Sequence, residues 1–461
     1  MRTVELSQLA HWCEGRLLGD DVPISGISTD SRDDLHGALF VALKGERFDA
    51  HEFVAQAKAN GAAALLTHRP VDSDLPTILC ADTEEALGEI AAGLARTRPA
   101  VVLALTGSNG KTSVKTLLHA ILLHAGKAYV NPGNRNNEIG LPLAVIDAPE
   151  DAQFAIYEMG AGKTGDIAYL TSIVTPNIAL VNNIAPAHIE RMGSLLGIAE
   201  TKGAIYEALP DDGLAVVNVD DAFCPYFLER IAGRSVLRFG LENNADVTAG
   251  KIVSGADGVR FELITPAGRA EVALQMPGRH NILNALAATA MALAAGAPFE
   301  AVLAGLQSAR PVAGRQDGKQ LANGAVLIDD SYNANPGSVL AGIAALTAAC
   351  ALDGRQSLLV LGDMAELGDT AVDLHAQIGT AAKSQGIAGI MTCGVLSAAA
   401  SEAFGSGARH FTDRAALIAV LNGSLHSNQR LLVKGSRSSR MDEVVNALLQ
   451  TYGIQEKPDA A

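Results

Sequence analysis

The feature that most constrains this chain is an apolar run that breaks into glycines. Residues 100–105 read Ala-Val-Val-Leu-Ala-Leu, and Thr106-Gly107-Ser108-Asn109-Gly110-Lys111-Thr112-Ser113 follows directly. A strand that is apolar at every position has to be covered on both faces, as happens inside a parallel sheet flanked by helices. Glycines at 107 and 110 let successive backbone N–H groups turn toward one centre, and the start of the next helix adds partial positive charge. A turn of this kind cradles phosphates. Lys111 is expected to reach the β- and γ-phosphates of a nucleotide, and the hydroxyl of Thr112 to ligate Mg²⁺. The match to the widespread G-x-x-x-x-G-K-[ST] pattern is imperfect, because Leu105 stands where that pattern has its first glycine.

The flanking sequence repeats the alternation of strand and helix. Apolar strands are expected at 154–157, 177–181 and 215–218, which implies a mostly parallel sheet. A helix over 83–95 opens on Thr-Glu-Glu, residues suited to a cap and a first turn. Ahead of it, strands at 39–43 and 62–66 enclose an Ala-rich helix. Pro311 and Gly314 break the pattern, after which strands are expected at 325–328, 357–361, 389–392 and 431–433. A helix over 338–349 is nearly all Ala, Leu, Ile and Gly and should pack on the sheet. The tail after Tyr452 is polar and is expected to be loose. The reading is α/β in three domains, 1–82, 83–310 and 311–461, in line with the soft prior of about three for a chain of this length.

Composition removes several classes. Apolar residues make up 48% and charged residues 18%, enough to build packed cores, and aromatics are only 4%, so those cores rest on Ala, Val, Leu and Ile. A formal charge of -15 with no basic stripe argues against nucleic acid as a partner. Cysteines at 13, 80, 224, 350 and 393 include no CxxC pair, which argues against a disulfide framework and a structural zinc site. No uninterrupted apolar run reaches the ~18 residues of a membrane span. The N-terminus has no apolar signal region, so a cytoplasmic protein is expected.

Three groups downstream of the glycine turn can carry chemistry. Glu158 follows the strand expected at 154–157, at the end where ligands gather in an open α/β sheet, and its oxygens suit Mg²⁺. His188 follows another strand end in Asn182-Asn183-Ile184-Ala185-Pro186-Ala187-His188. Lys202 lies on a helical stretch over 198–209 and by itself reads as a solvated surface lysine. Singly, none carries a claim. Their shared place at the C-terminal edge of one sheet points to a joint site.

The turn at 106–112, Glu158-Met159-Gly160, the run up to His188, Glu200-Thr201-Lys202-Gly203 and Gly278-Arg279-His280-Asn281-Ile282-Leu283-Asn284 together resemble the Mur ligases, ATP-dependent amide-forming enzymes of peptidoglycan synthesis. The likeness covers essentially the whole chain. Residues 136–142, 329–336, 361–368 and 433–437 resemble the branch that joins D-alanyl-D-alanine to UDP-N-acetylmuramoyl-tripeptide. The D-N-P-R signature of the ligase that adds the third amino acid is absent, and folylpolyglutamate synthetase lacks the runs at 329–336 and 361–368. The resemblance implies a UDP-binding N-terminal domain, a central P-loop ATPase domain and a Rossmann-like C-terminal domain. It implies ATP and two Mg²⁺, one held by Thr112 and Glu158, the other by His188 and a carbamylated Lys202, with Glu158 nearby. It further implies Asn281 and Asn284 facing adenine, Arg315 reaching the phosphates and Asp330 on the ribose. Ser28, Asp30, Ser31, Arg32 and Lys44 would contact the UDP-sugar, and Asn137, Asn333 and Asn335 the rest of the substrate. Catalysis would fall to Lys111, Glu158, His188 and Lys202, in a monomer without a membrane span.

Two other readings use the same turn: a P-loop kinase or simple ATPase with no amine acceptor, and a nucleotide-sensing scaffold that tolerates loss of Glu158 and His188. Another Mur-type amide ligase is the nearer alternative.

Overall fold

The computed structural model describes residues 1–45, 48–186 and 189–455 of the 461. Its centre is a six-stranded sheet in the order Ser235–Phe239, Leu214–Asn218, Ile178–Val181, Val101–Thr106, Phe154–Glu158, Ala128–Val130, with every pairing parallel. The apolar run lands in the middle of this sheet, with residues 103–106 of the strand buried. From Val101–Thr106 the chain crosses to the edge strand Ala128–Val130, returns through Phe154–Glu158, and then passes to the opposite side at Ile178–Val181. The strand order therefore reverses at Val101–Thr106, and the crevice beyond its carboxyl end is where an open α/β sheet binds ligands.

The helix after the glycine turn, Lys111–Leu123, forms because Val114, Leu117, Leu118, Ile121 and Leu122 recur at helical spacing and are all fully buried. It packs against the helices Arg279–Ala294 and Phe299–Ser308. The second approach is close: a Cβ on Gly305 would lie 2.4 Å from the Cα of Ile121. An antiparallel sheet of Thr248–Ser254, Val259–Thr265 and Gly268–Leu274 was not expected from the sequence. Its middle strand does alternate, with Val259, Phe261, Leu263 and Thr265 buried.

The C-terminal stretch forms a second six-stranded sheet, Asp317–Gln320, Val326–Asp330, Gln429–Lys434, Gln356–Gly362, Gly389–Cys393, Ala408–Phe411, antiparallel only at the first pair. The helix Pro336–Asp353 is longer than the run that suggested it, because Asn335 caps it two residues earlier and Gly354, at φ +72°, ends it. By length and mean hydropathy, 1.4, it matches a membrane span. Val339, Ile343 and Leu346 are fully buried, while Leu340 and Leu352 face outward, so only one face packs on the sheet.

At the N-terminal end, Arg16–Leu18, Thr77–Leu79, Ala64–Thr67, Ala38–Val41 and Gly26–Ser28 make a five-stranded sheet. The helix Thr83–Ala95 follows it, capped by Asp82 rather than by Thr83: Asp82 Oδ1 accepts from the N–H groups of Glu84 and Glu85 at 2.7 and 3.2 Å. This helix packs on both sides of the junction, against Leu6–Trp12 and against Gly140–Asp147. The tail is held as far as Ile454, which pairs with Leu321.

Candidate active site

Thr106 ends the central strand and its hydroxyl donates to the Met159 carbonyl at 2.8 Å. Gly110 opens the next helix at φ +78°, and a Cβ there would lie 2.3 Å from Asn284 Oδ1 and 2.6 Å from Asn182 Nδ2, so glycine is required. A layer of asparagines backs the turn. Asn182 Nδ2 donates to the Asn109 carbonyl (2.9 Å) and to Asn284 Oδ1 (3.1 Å), and Asn183 Oδ1 accepts from Asn109 N (2.9 Å). Ser108 exchanges two 3.0 Å hydrogen bonds with the backbone of Ala185. Lys111 Nζ donates back to the Gly107 carbonyl at 2.7 Å; burial lowers its pKa, against the pull of Glu158.

Glu158 sits beside the turn at the end of the neighbouring strand, 3% exposed. Its Oε1 accepts from Asn136 Nδ2 and its Oε2 from the Thr112 hydroxyl, both at 2.9 Å, and Lys115 Nζ lies 3.4 Å from Oε2. Burial alone would push this carboxyl up, but Lys115 and Lys111, with Thr112, hold it below the usual carboxylate range. Stripping the ammonium from such a buried pair costs about 3–5 kcal/mol.

Lys202, on the helix Leu195–Glu207, is not a surface lysine: it is 1% exposed and makes no hydrogen bond or ion pair with any described residue. The helix turns this face into the core, where Ile198, Thr201 and Ile205 are also buried. Burial and the nearby Lys111 hold its pKa well below the lysine range, with Asp166 opposing. The neutral amine is thereby favoured. His188 lies outside the described residues.

The opposite wall comes from the C-terminal sheet. Asp330 and Lys434 end adjacent parallel strands in register, with Lys434 Nζ on Asp330 Oδ2 at 2.7 Å and on the Asn333 carbonyl at 3.0 Å. Arg315 lies over the Tyr332 ring, 4.3 Å from its centroid. Asn335 accepts from Ser338 N with Oδ1 (2.9 Å) and donates from Nδ2 to Asn109 Oδ1 (2.7 Å), joining the two walls. Between them is a cavity of about 680 Å³ lined by Lys111, Glu158, Asn281, Asn284, Arg315 and Asp330, and also by Asn137, Asn333, Asn335 and Lys434. That is the size of a small-molecule site. Ser28, Asp30, Ser31, Arg32 and Lys44 do not line it. Ser28 Oγ donates to Asp33, Asp30 pairs with Arg32, Ser31 Oγ donates to Gln56 Oε1, and Lys44 is exposed.

Three family descriptions match in chain order: "Mur ligase family, catalytic domain" over 23–95, "Mur ligase middle domain" over 105–292, and "Mur ligase, glutamate ligase domain" over 314–437. The UDP-N-acetylmuramoyl-tripeptide–D-alanyl-D-alanine ligase of Escherichia coli strain K12 is 46% identical over 97% of this chain and 99% of its own length. The chain belongs to the Mur ligase family. The corresponding ligase of Haemophilus influenzae is 37% identical over 97% of this chain and 98% of its own. Among solved structures, a MurF from Acinetobacter baumannii superposes with a TM-score of 0.91 at 33% identity, covering 98% of this chain and 99% of that one. A MurF ligase from Thermotoga maritima in complex with ADP gives 0.83 at 27% identity, covering 92% and 97%.

In this Mur ligase the sequence reading missed Lys115, Asn131, Asn136, Asn182 and Lys434. Lys115 had one signal, its place one helical turn after Lys111 on the same face. Asn136 and Lys434 lay in runs already singled out for their resemblance.

Proposed function

We propose that this Mur ligase joins D-alanyl-D-alanine to the C-terminal carboxylate of UDP-N-acetylmuramoyl-tripeptide, using ATP and passing through an acyl phosphate, in cytoplasmic precursor synthesis for peptidoglycan. The observation that carries the reading is the single cavity that brings a phosphate-binding turn, the buried Glu158 and the Asp330–Lys434 pair together in a chain so close to ligases of that name. A division into 1–82 for the UDP-sugar, 83–310 for ATP and 311–461 for closure suits the three largest sheets, one in each span. Ser28, Asp30, Ser31, Arg32 and Lys44 are the proposed UDP-sugar contacts. A monomer is the proposed state.

The residues present fit Mg²⁺. Thr112 and Glu158 offer hard oxygens 2.9 Å apart, and a magnesium site commonly takes one or two carboxylates and completes itself with phosphates and water. Mg²⁺ there would offset the repulsion between an anionic carboxylate and an anionic γ-phosphate. Lys202, buried and favoured as the neutral amine, is suited to add CO₂: the nitrogen lone pair bonds to carbon, one C=O π bond opens onto oxygen, the nitrogen passes a proton to water, and the neutral amine becomes an anionic, carboxylate-like ligand. His188 is the proposed companion of that group. Lys111 would exchange the Gly107 carbonyl for phosphate oxygens, while Asn281 and Asn284 face the base, Arg315 the phosphates and Asp330 the ribose. Asn137, Asn333 and Asn335 border the space left for the peptide. Once the donor carboxylate is phosphorylated, the dipeptide amine attacks it and phosphate leaves, so water has to be kept out until then.

Phosphate release measured with UDP-N-acetylmuramoyl-tripeptides ending in lysine or meso-diaminopimelate, each with and without D-alanyl-D-alanine, tests the reading. Release is expected only when tripeptide and dipeptide are both present. Equal release from ATP alone would make the protein a simple ATPase.

A further inference from the structure

Lys115 does not line the cavity, yet its ammonium is fully engaged. Nζ donates to the carbonyls of Asn131 at 3.0 Å and Gly133 at 2.9 Å and stands 3.4 Å from Glu158 Oε2. An ammonium has three donors, and here each has an acceptor. The short contacts are with the backbone and the long one is with the carboxylate. A lysine serving only as the counter-ion of Glu158 would show the reverse.

The two carbonyls belong to a segment that is otherwise on the surface, with residues 132–135 exposed. Gly133 takes φ +54°, and nothing lies within 4 Å of where its Cβ would be. From below, Asn131 clasps the Glu158 backbone: Oδ1 accepts from Glu158 N at 2.9 Å and Nδ2 donates to Glu158 O at 3.0 Å. At the far end of the segment Asn136 donates to Glu158 Oε1, and the Asn136 carbonyl accepts from Gly160 N at 2.8 Å. Asn137 and Glu138 then reach the cavity. Lys115 thus ties the helix of the phosphate turn to the segment that aims the Glu158 carboxylate.

We propose that Lys115 is a positioning residue for the ligase reaction, holding residues 131–137 so that Asn136 keeps one oxygen of Glu158 and leaves the other to Thr112. This rests on the ligase reading above. Lys115→Met, close in length but without donors, is the test, by hydrogen–deuterium exchange of the substrate-free full chain and by steady-state kinetics. Amides of 131–138 are expected to exchange at least about tenfold faster, with the helix Lys111–Leu123 and the C-terminal sheet unchanged. Turnover is expected to fall about 100-fold, the cost of a misplacement near 1 Å, with KM for ATP and for the dipeptide within about threefold of the parent. Parental kcat, or parental exchange in 131–138, overturns the proposal. If Lys115→Met does not fold, Asn136→Ala takes its place: kcat falls with the KM values held, and a parental kcat again overturns it. Exchange needs no substrate, so a parent that releases phosphate without ligation sinks the ligase reading and leaves the tether to be judged separately.

Discussion

The niches of Lys115 and Lys202 lie in the same central unit, close to the same turn, and are built on opposite principles. Lys115 is surrounded by acceptors, two carbonyls and a carboxylate, and Lys434 repeats that arrangement across the cavity with Asp330 and the Asn333 carbonyl. Lys202 is more deeply buried than either and has no acceptor among the described residues. An ammonium enclosed with no acceptor among the described residues is costly, which favours the neutral amine. The braced lysines hold backbone in place, whereas Lys202 has no such tie among the described residues.

That contrast is open to test, beginning with its widest margin. Lys202→Ala should lose at least about 1,000-fold in kcat, because a charged ligand beside the reacting phosphate disappears, and short carboxylic acids should restore part of it. Parental turnover in Lys202→Ala would put it on a par with a packing residue and dissolve the contrast. The effect of Lys115→Met should be about ten times smaller and unmoved by added carboxylic acids. For Lys434→Met the change should fall mainly on nucleotide binding, with KM for ATP raised about tenfold, since Asp330 loses the cation that orients it. A drop in kcat without any change in KM would mean that Lys434 acts on chemistry instead. Smallest is Asn335→Ser, which keeps a capping oxygen and drops the bond to Asn109. Its unfolding free energy in urea should stay within about 0.5 kcal/mol of the parent, whereas Asn335→Ala loses about 1 kcal/mol. Equal losses in the two would show that the bond between domains outweighs the cap.

What was readable beforehand follows from where each signal resides. The strand and turn at 101–112 could be read because glycine, lysine and an apolar run constrain the backbone locally. Glu158 could be read because it closes a strand. The burial of Lys202 could not: its helix, Ile-Ala-Glu-Thr-Lys-Gly around the residue, has no clear polar and apolar faces, and only the packed fold shows which way it turns. Lys115 was hidden for a different reason. Its partners are carbonyls of Asn131 and Gly133, and every residue has a carbonyl. The sheet at 248–274 carries no unbroken apolar run of the kind that marks a buried parallel strand, and only 259–265 alternates cleanly. The sequence reading of the C-terminal strands was short by one to three residues, at the polar ends that carry Asp330 and Lys434.

Asn335 divides its side chain between two bodies: the oxygen starts its own helix and the nitrogen grips the neighbouring turn at Asn109. If the C-terminal unit swings away, only the nitrogen lets go, and water can take up what it leaves. No helical turn unravels. At Asn335, then, parting the two walls would cost one partly buried hydrogen bond and no helical structure.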